Sequence, residues 1–260
     1  MSDWIHTAKS LIRYKLKSVD AHGIHPPFLF RLYTEAFDDK KSYYAFDKIE
    51  NERKKLLANS EIIHFNDLGA GSKLLGKERK ISEIARTNLL PPKYGRLLFR
   101  LVNLFRPKNI LELGTSLGIT TAYLAAANHQ AKIITTDGDA HVLKIAQQCW
   151  NNLKLKNIQS VNGNFDNLIP ELLANHTFDM IFIDGNHTYE STMRYFRWIS
   201  EKKLPQTVMI FDDIYWSKEM TKAWKEISGN KEVTLSIDIF KLGIIFFNKN
   251  LSKQHFVLKY

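Results

Sequence analysis

The sequence predicts an α/β fold: a doubly wound, Rossmann-like sheet, mostly parallel, with a helical extension before it. Three observations predict this class. Short apolar runs alternate with segments of helical periodicity from residue 109 onward. The first of these runs ends in a glycine-bearing turn that leads directly into a helical pattern. Residues 1–105 contain helical patterns with many charges and proline breaks, so we predict a helical N-terminal region there and a separate domain at residues 106–260.

Seven strands are expected in the second region. The first covers residues 110–113, and the others are predicted at 133–136, 158–162, 179–183, 207–211, 232–238 and 242–247. Helices are expected between them at residues 119–127, 140–154, 167–174, 189–200 and 217–228. The last two strands follow each other without a helix, so they should form an antiparallel hairpin.

Two features of the N-terminal region leave alternatives open. Residues 1–20 form a basic amphipathic helix that packs on its own domain, joins a homodimer through this region, or lies on a membrane surface. Residues 67–72, Asp-Leu-Gly-Ala-Gly-Ser, resemble a nucleotide-binding turn in isolation. No apolar helix follows them, so we interpret them as a surface loop.

Composition limits the class of protein. The chain has 260 residues and a net charge of +10, which permits binding to nucleic acid, an anionic membrane or an acidic substrate. Its lysines are spread along the chain, which favours an ordinary solvated surface and predicts no nucleic-acid partner. The single cysteine, Cys149, excludes a disulfide framework and fits a reducing cytoplasm. No apolar run approaches the ~20 residues of a transmembrane helix.

The stretch from Asn109 to Ala127 carries the strongest signal. Its strand ends in Glu112-Leu113-Gly114, and the turn Thr115-Ser116-Leu117-Gly118 opens a helix. Such a strand, turn and helix N-terminus cradle a nucleotide. The turn fits the dinucleotide pattern G-x-G-x-x-G poorly. It resembles the acid-x-Gly-x-Gly-x-Gly turn of class I S-adenosylmethionine (SAM) methyltransferases, in the form of the catechol O-methyltransferase-like branch, where the middle glycine is often replaced.

This resemblance implies the strand order 3-2-1-4-5-7-6 and SAM as cofactor. The expected SAM-binding residues are then Glu112, Gly114, Thr115, Ser116, Gly118, Asp137, Asn164, Phe165, Asp166 and Asp184. Asp137 follows the second strand and would hold the ribose hydroxyls, with Asp139 as the second choice. The loop after the third strand would flank the adenine.

Acids also end the fourth and fifth strands. Asp184, Asp212 and Asp213 should meet at one edge of the sheet, and like charges this close favour a bound cation. Oxygen ligands suit Mg²⁺, so we predict these three as a metal site. The alternative is that they cap helices. Catechol-type enzymes have Asp and then Asp-Asn here, so Asp213 adds a charge; macrocin-type enzymes, with Asp-Asp, are more similar.

His187 lies three residues beyond Asp184, the offset of the lysine base in catechol-type enzymes. We predict these two as catalytic residues, with His187 removing a proton from the acceptor. The sequence therefore predicts a cytoplasmic SAM-dependent methyltransferase acting on oxygen of a small hydroxylated molecule, with Mg²⁺ assistance as an option. The alternatives are a nucleic-acid methyltransferase and a SAM-binding protein without catalysis.

Overall fold

The structure is a computed structural model that describes residues 2–64 and 78–260. The glycine-rich loop predicted at residues 67–72 lies outside the described residues. The chain divides into two compact units. We call Leu32–Leu168 the central unit, and the residues up to Arg31 together with Ile169–Tyr260 the terminal unit. The domain boundary predicted between residues 105 and 106 falls inside the central unit, and as a functional division it stays a prediction.

Helices and strands alternate through most of the described chain. The helices are α1 (Ser2–Lys17), α2 (Pro27–Leu32), α3 (Tyr44–Ala58), α4 (Ile81–Asn88), α5 (Pro92–Phe105), α6 (Ile119–Ala127), α7 (Ala140–Asn152), α8 (Phe165–Asn175), α9 (Tyr189–Lys202) and α10 (Lys218–Gly229). A 3-10 turn at Ala21–Gly23 precedes α2, and a π-helical segment at Tyr33–Phe37 follows it. The strands are β1 (Ile62–His64), β2 (Glu78–Lys80), β3 (Asn109–Leu113), β4 (Lys132–Asp137), β5 (Ile158–Asn162), β6 (Met180–Ile183), β7 (Val208–Asp212), β8 (Leu235–Asp238), β9 (Leu242–Phe246) and β10 (Gln254–Val257).

The central unit contains three parallel strands in the order β5-β4-β3. Leu111 pairs with Ile134, which pairs in turn with Gln159 on β5. The apolar side chains of β3 are fully buried, as expected for a parallel strand covered on both faces. This burial fixes the end of β3, and with it the turn that follows.

The terminal unit contains five strands in the order β6-β7-β9-β8-β10. β6 and β7 are parallel, β9 is antiparallel to both β7 and β8, and β10 runs parallel to β8. The β8–β9 hairpin turn therefore lies at the same end of the strands as the carboxyl end of β7. Residues of this turn can therefore approach the residues at the end of β7.

The predicted α/β class with a mixed sheet flanked by helices is confirmed. Within the central unit, β5-β4-β3 reproduces the predicted run 3-2-1, and within the terminal unit β6-β7-β9-β8 reproduces 4-5-7-6. Two features were not predicted. One is β10, whose four residues are too few to show a period. The other is the short antiparallel pair β1–β2.

α1 packs within the terminal unit. The Tyr14 hydroxyl donates to the carbonyl of Leu258 at 2.6 Å, and His6 Nε2 lies 2.8 Å from Thr221 Oγ1. The outer side of the helix leaves Trp4 and Leu16 78% and 83% exposed. The structure therefore agrees with packing of α1 on its own domain and leaves an apolar outer face. Among the described residues, no helix combines the length and the apolarity needed to cross a membrane.

Candidate active site

The predicted site residues fall into two groups, one in each unit. The first group surrounds the turn between β3 and α6. Three of its five residues have left-handed backbone: Gly114 (φ 101°), Ser116 (φ 47°) and Gly118 (φ 79°). The Gly114 amide donates to the carbonyl of Thr136 at 2.9 Å, which fixes the turn against β4. Only Ser116 bears a side chain in this conformation, at a cost of about 1–2 kcal/mol.

Gly118 is required by packing inside the protein. A Cβ atom at this position would lie 2.6 Å from Trp150 Nε1 and 2.7 Å from the Cβ of Ala146. The Trp150 indole N–H donates to the Gly118 carbonyl at 2.8 Å, so α7 is held against the start of α6. Packing against α7 therefore requires glycine at position 118, and the predicted contact of Gly118 with SAM stays a prediction.

Glu112 is fully buried in a network of threonine hydroxyls. Its Oε2 accepts from Thr121 Oγ1 at 2.5 Å and from Thr135 Oγ1 at 2.6 Å. Thr135 Oγ1 lies 2.6 Å from Thr115 Oγ1. These bonds connect β3, β4, the turn and α6, so Glu112 and Thr115 brace the turn from inside.

The structure separates the roles of the two aspartates after β4. Asp137 accepts the Ser116 amide at 2.8 Å through Oδ2 and the Asp139 amide at 3.0 Å through Oδ1. Its residue remains partly exposed, at the end of the strand. Asp139 is 3% exposed and caps α7, accepting the His141 amide at 2.6 Å. Asp137 is therefore the more exposed of the two carboxylates beside the turn, and its predicted contact with the ribose stays a prediction.

Ser116 adds an unsatisfied polar atom. Its Oγ is buried and has no hydrogen-bond partner in the part of the chain that the structure describes. Buried hydroxyls are normally paired. An unpaired hydroxyl in a glycine-bearing turn, beside the partly exposed Asp137, fits a site that receives a polar ligand such as a nucleoside cofactor.

The loop after β5 begins α8. Asn164 is exposed, and its Oδ1 accepts the Asp166 amide at 2.8 Å. Phe165 is 9% exposed, so most of its ring packs inside the protein. The roles of Asn164, Phe165 and Asp166 beside an adenine stay predictions.

The second group lies in the terminal unit, where the loop after β6 carries Asp184 and His187. Asn186 has left-handed backbone (φ 53°), and its amide nitrogen donates to the Tyr195 hydroxyl at 2.7 Å. Thr188 caps α9 by accepting the Ser191 amide at 3.3 Å. The loop shape is thus fixed by Asn186, Tyr195 and Thr188, none of which the sequence had singled out.

His187 and Asp184 form a close pair. His187 Nε2 lies 3.4 Å from Asp184 Oδ1, and the His187 side chain is 24% exposed. Burial lowers the pKa of His187, but the hydrogen bond and charge of Asp184, with the charges of Asp213 and Asp212, outweigh it and leave the pKa raised. Asp184 therefore stabilises the protonated form of the His187 ring, as a partner of a general base would.

Lys241 is the residue that the sequence interpretation missed. Its Nζ lies 3.1 Å from Asp212 Oδ2 and 2.6 Å from Asp213 Oδ1. No local pattern marks it, because it sits in the β8–β9 turn, 28 residues beyond Asp213. The antiparallel order of β7 and β9 would have pointed to it, since the hairpin turn must return to the carboxyl end of β7.

Asp212 is the most buried acid of this group. Burial raises its pKa strongly, and the charges of Asp184 and Asp213 add to this, while those of Lys241 and His187 oppose it. The Asp212 Oδ2 atom pairs with Lys241, whereas Oδ1 is buried without a hydrogen-bond partner among the described residues. The three acids predicted to converge do lie within electrostatic reach of one another.

The predicted magnesium site is not supported. Across residues 2–64 and 78–260, no group of three or more His, Cys, Asp and Glu side chains is arranged to hold a metal ion. The Lys241 ammonium already lies between two of the three proposed ligands, Asp212 and Asp213. A donor set with a cation inside it does not fit Mg²⁺, which needs oxygens about 2.0–2.1 Å away in octahedral array.

The two aromatic residues after Asp213 differ in environment. The Tyr215 hydroxyl donates to Asp238 Oδ2 at 2.5 Å, and its ring stacks on Phe240 at 5.4 Å. Trp216 is 49% exposed, with its ring centroid 5.8 Å from that of His187. Of these two residues, Trp216 has its ring half-exposed beside His187, whereas the Tyr215 ring packs against Phe240.

Several known proteins are similar to this chain over the region that carries these residues. Residues 111–214 match the family model of a methyltransferase domain. The chain is 32% identical over 127 residues to a catechol O-methyltransferase of Niastella koreensis, covering 47% of this chain and 57% of that protein. It is 33% identical over 114 residues to an O-methyltransferase of Aspergillus hancockii, covering 42% of this chain and 43% of that protein. The chain thus spans about half the length of the curated relatives it matches.

A solved structure extends the likeness over most of the fold. The methyltransferase of Podospora anserina bound to S-adenosylhomocysteine (SAH) superposes with a TM-score of 0.60 at 14% identity, covering 86% of this chain and 98% of that one. The predicted resemblance is confirmed: residues 111–214 match a methyltransferase domain, and the curated relatives that the chain matches are O-methyltransferases.

Proposed function

We propose that this protein transfers the methyl group of SAM to a hydroxyl oxygen of a small acceptor. The observation that carries the proposal is the Asp184–His187 pair, 3.4 Å apart after β6, within a matched methyltransferase domain. The similar protein of Niastella koreensis is named a catechol O-methyltransferase, which agrees with an oxygen acceptor.

The central unit supplies the cofactor side. The left-handed turn at Gly114 and Ser116 lets the backbone approach the cofactor, and the Asp137 carboxylate accepts from the ribose hydroxyls. Glu112 and Thr115 hold the turn in place. Bound SAM supplies an electrophilic methyl group on a sulfonium.

The terminal unit supplies the proton acceptor. With His187 Nε2–H directed at Asp184, the other ring nitrogen, Nδ1, is the basic one. Nδ1 takes the hydroxyl proton as the acceptor oxygen forms its bond to the methyl carbon and the sulfur–carbon bond breaks. The proton remains on His187, and the products are the methyl ether and SAH. Asp184 keeps the ring oriented and stabilises the imidazolium.

Trp216 favours a flat acceptor. Its half-exposed ring lies beside His187, where it can stack on an aromatic face and exclude water from one side of the reacting hydroxyl. A phenol or catechol combines such a face with an acidic hydroxyl. We therefore propose a small hydroxylated aromatic molecule as the acceptor.

Magnesium assistance, which the three acids suggested, is not part of the proposed reaction, because Lys241 lies between Asp212 and Asp213. A homodimer through the N-terminal helices stays a prediction, supported by the exposed side chains of Trp4, Ile5, Ile12 and Leu16 on α1. A cytoplasmic location and the absence of a nucleic-acid partner likewise stay predictions.

Transfer of an isotope-labelled methyl group from SAM to catechol tests the proposal. Mass spectrometry should find the label on a catechol oxygen, and calorimetry should find saturable SAM binding. SAM binding without a labelled product from any phenol or alcohol would favour a non-catalytic SAM-binding protein. Labelled RNA or DNA, with no labelled phenol, would favour the nucleic-acid alternative.

A further inference from the structure

The charges at the end of β7 are balanced within the protein. Asp213 adds a carboxylate where the catechol-type pattern has asparagine, and the Lys241 ammonium lies 2.6 Å from Asp213 and 3.1 Å from Asp212. In this chain the added carboxylate is therefore paired with an ammonium.

Lys241 is held in place by the hairpin turn around it. Asp238 Oδ1 accepts the Phe240 amide at 2.8 Å, and the Lys241 amide donates to the Ile239 carbonyl at 2.8 Å. Phe240 has left-handed backbone (φ 68°) and stacks on Tyr215, whose hydroxyl donates to Asp238. These contacts fix the turn that carries the ammonium, so its position is built into the fold.

Local electrostatics keep this lysine charged. Burial lowers the Lys241 pKa, but the charges of Asp212 and Asp213 outweigh this and leave the pKa raised. A permanently charged ammonium balances the negative charge of these carboxylates, as a divalent cation would otherwise do. It also opposes the entry of one, because two cations would compete for the same carboxylates.

We propose that Lys241 is the resident cation of this site and replaces the divalent metal, so that methyl transfer by this protein needs no added metal. This inference rests on the proposed methyl transfer for its functional part. Its physical part, that the ammonium keeps Mg²⁺ out, concerns only the terminal unit and can be tested without SAM or acceptor.

The experiment is a thermal-unfolding series with and without millimolar MgCl₂, against NaCl of equal ionic strength, on EDTA-treated protein. The wild-type midpoint should not move with Mg²⁺. Lys241→Ala leaves Asp184, Asp212 and Asp213 without their ammonium, so Mg²⁺ should raise its midpoint by about 3–6 °C through binding to the folded state. Lys241→Arg keeps the charge and should behave like wild type.

Lys203→Ala is the matched control. Lys203 pairs with Glu232 at 3.1 Å in the same unit, and its side chain is 19% exposed against 22% for Lys241. Its loss should create no Mg²⁺ response. If Lys241→Ala does not fold, Lys241→Gln keeps the length and polarity of the side chain and replaces it in the series.

Calorimetric titration of the wild-type protein with MgCl₂ gives the second readout. Saturable binding to wild type, or no Mg²⁺ response in a folded Lys241→Ala or Lys241→Gln variant, would overturn the proposal. EDTA-insensitive methylation of catechol by wild type would support its functional part, and turnover lost with EDTA and restored by Mg²⁺ would refute it. Failure of the wild-type protein to methylate any acceptor would count against the proposed function. The Mg²⁺ measurements would still test whether Lys241 keeps the metal out.

Discussion

The unpaired hydroxyl of Ser116 gives a prediction in which stability and cofactor binding change in opposite directions. Burying a hydroxyl without a partner costs about 1–3 kcal/mol, and Ser116 Oγ is buried without one among the described residues. Ser116→Ala removes that oxygen and leaves the left-handed backbone (φ 47°) with a side chain of similar strain. After subtracting a few tenths of a kcal/mol for lost contacts, we expect the variant without ligand to gain about 1 kcal/mol, or roughly 2–4 °C in midpoint.

The same substitution should weaken the binding of SAM. If Ser116 Oγ pairs with SAM, its loss removes one hydrogen bond of about 0.5–1.5 kcal/mol, so the dissociation constant should rise about 2–12-fold. Differential scanning calorimetry without ligand and isothermal titration with SAM measure the two effects. A variant that is less stable than wild type, with unchanged SAM affinity, would refute the reasoning, because the hydroxyl would then serve the fold and not the ligand.

Three further predictions concern residues of the two groups. Asp137→Ala should weaken SAM binding at least tenfold through lost ribose contacts, whereas Asp139→Ala should mainly lower the midpoint by removing a helix cap worth about 0.5–2 kcal/mol; the reverse pattern in calorimetry would exchange their roles. Gly118→Ala should destabilise the fold by about 2–5 kcal/mol, measured by urea unfolding, from overpacking and left-handed strain. The rate should rise with pH through a His187 pKa above its ordinary value of about 6.5, and Asp184→Asn should shift this limb to lower pH; an unchanged limb would exclude the pair.

The His187 pKa shift also sets a direction for stability. Because the folded pKa is raised, protonated His187 stabilises the fold fully below about pH 6.5, the unfolded value. That contribution is lost as the pH rises through the folded pKa. Chemical unfolding of wild type and His187→Gln across this range should show the difference between the two proteins shrinking at higher pH.

Structural features that depend on neighbouring residues in the chain could be predicted from the sequence. β3, its turn and α6 follow from one continuous pattern, and the order of strands within each unit follows from a resemblance carried by that pattern. The sequence also preferred Asp137 to Asp139 as the ribose ligand; Asp139 caps α7 in the structure, and the ribose contact of Asp137 stays a prediction.

Contacts between residues far apart in the chain could not be predicted from the sequence. Lys241 reaches Asp213 only because a hairpin folds back on β7, and nothing beside Lys241 in the sequence shows this. When Lys241 is left out, Asp184, Asp212 and Asp213 suggest a metal site. When Lys241 is included, its ammonium partly neutralises the charge of these three carboxylates. Likewise, nothing beside Gly118 in the sequence shows that it packs against Trp150, 32 residues away; its contact with SAM stays a prediction.

The most direct test of the account is the rate of methyl transfer to catechol at saturating SAM in wild type, His187→Gln and Asp184→Asn. General-base catalysis contributes about 10²–10⁴-fold. His187→Gln should therefore lose that much in kcat with SAM affinity unchanged, and Asp184→Asn should lose less while shifting the pH limb. A His187→Gln variant that methylates catechol at the wild-type rate would contradict the central claim that this histidine removes the acceptor proton.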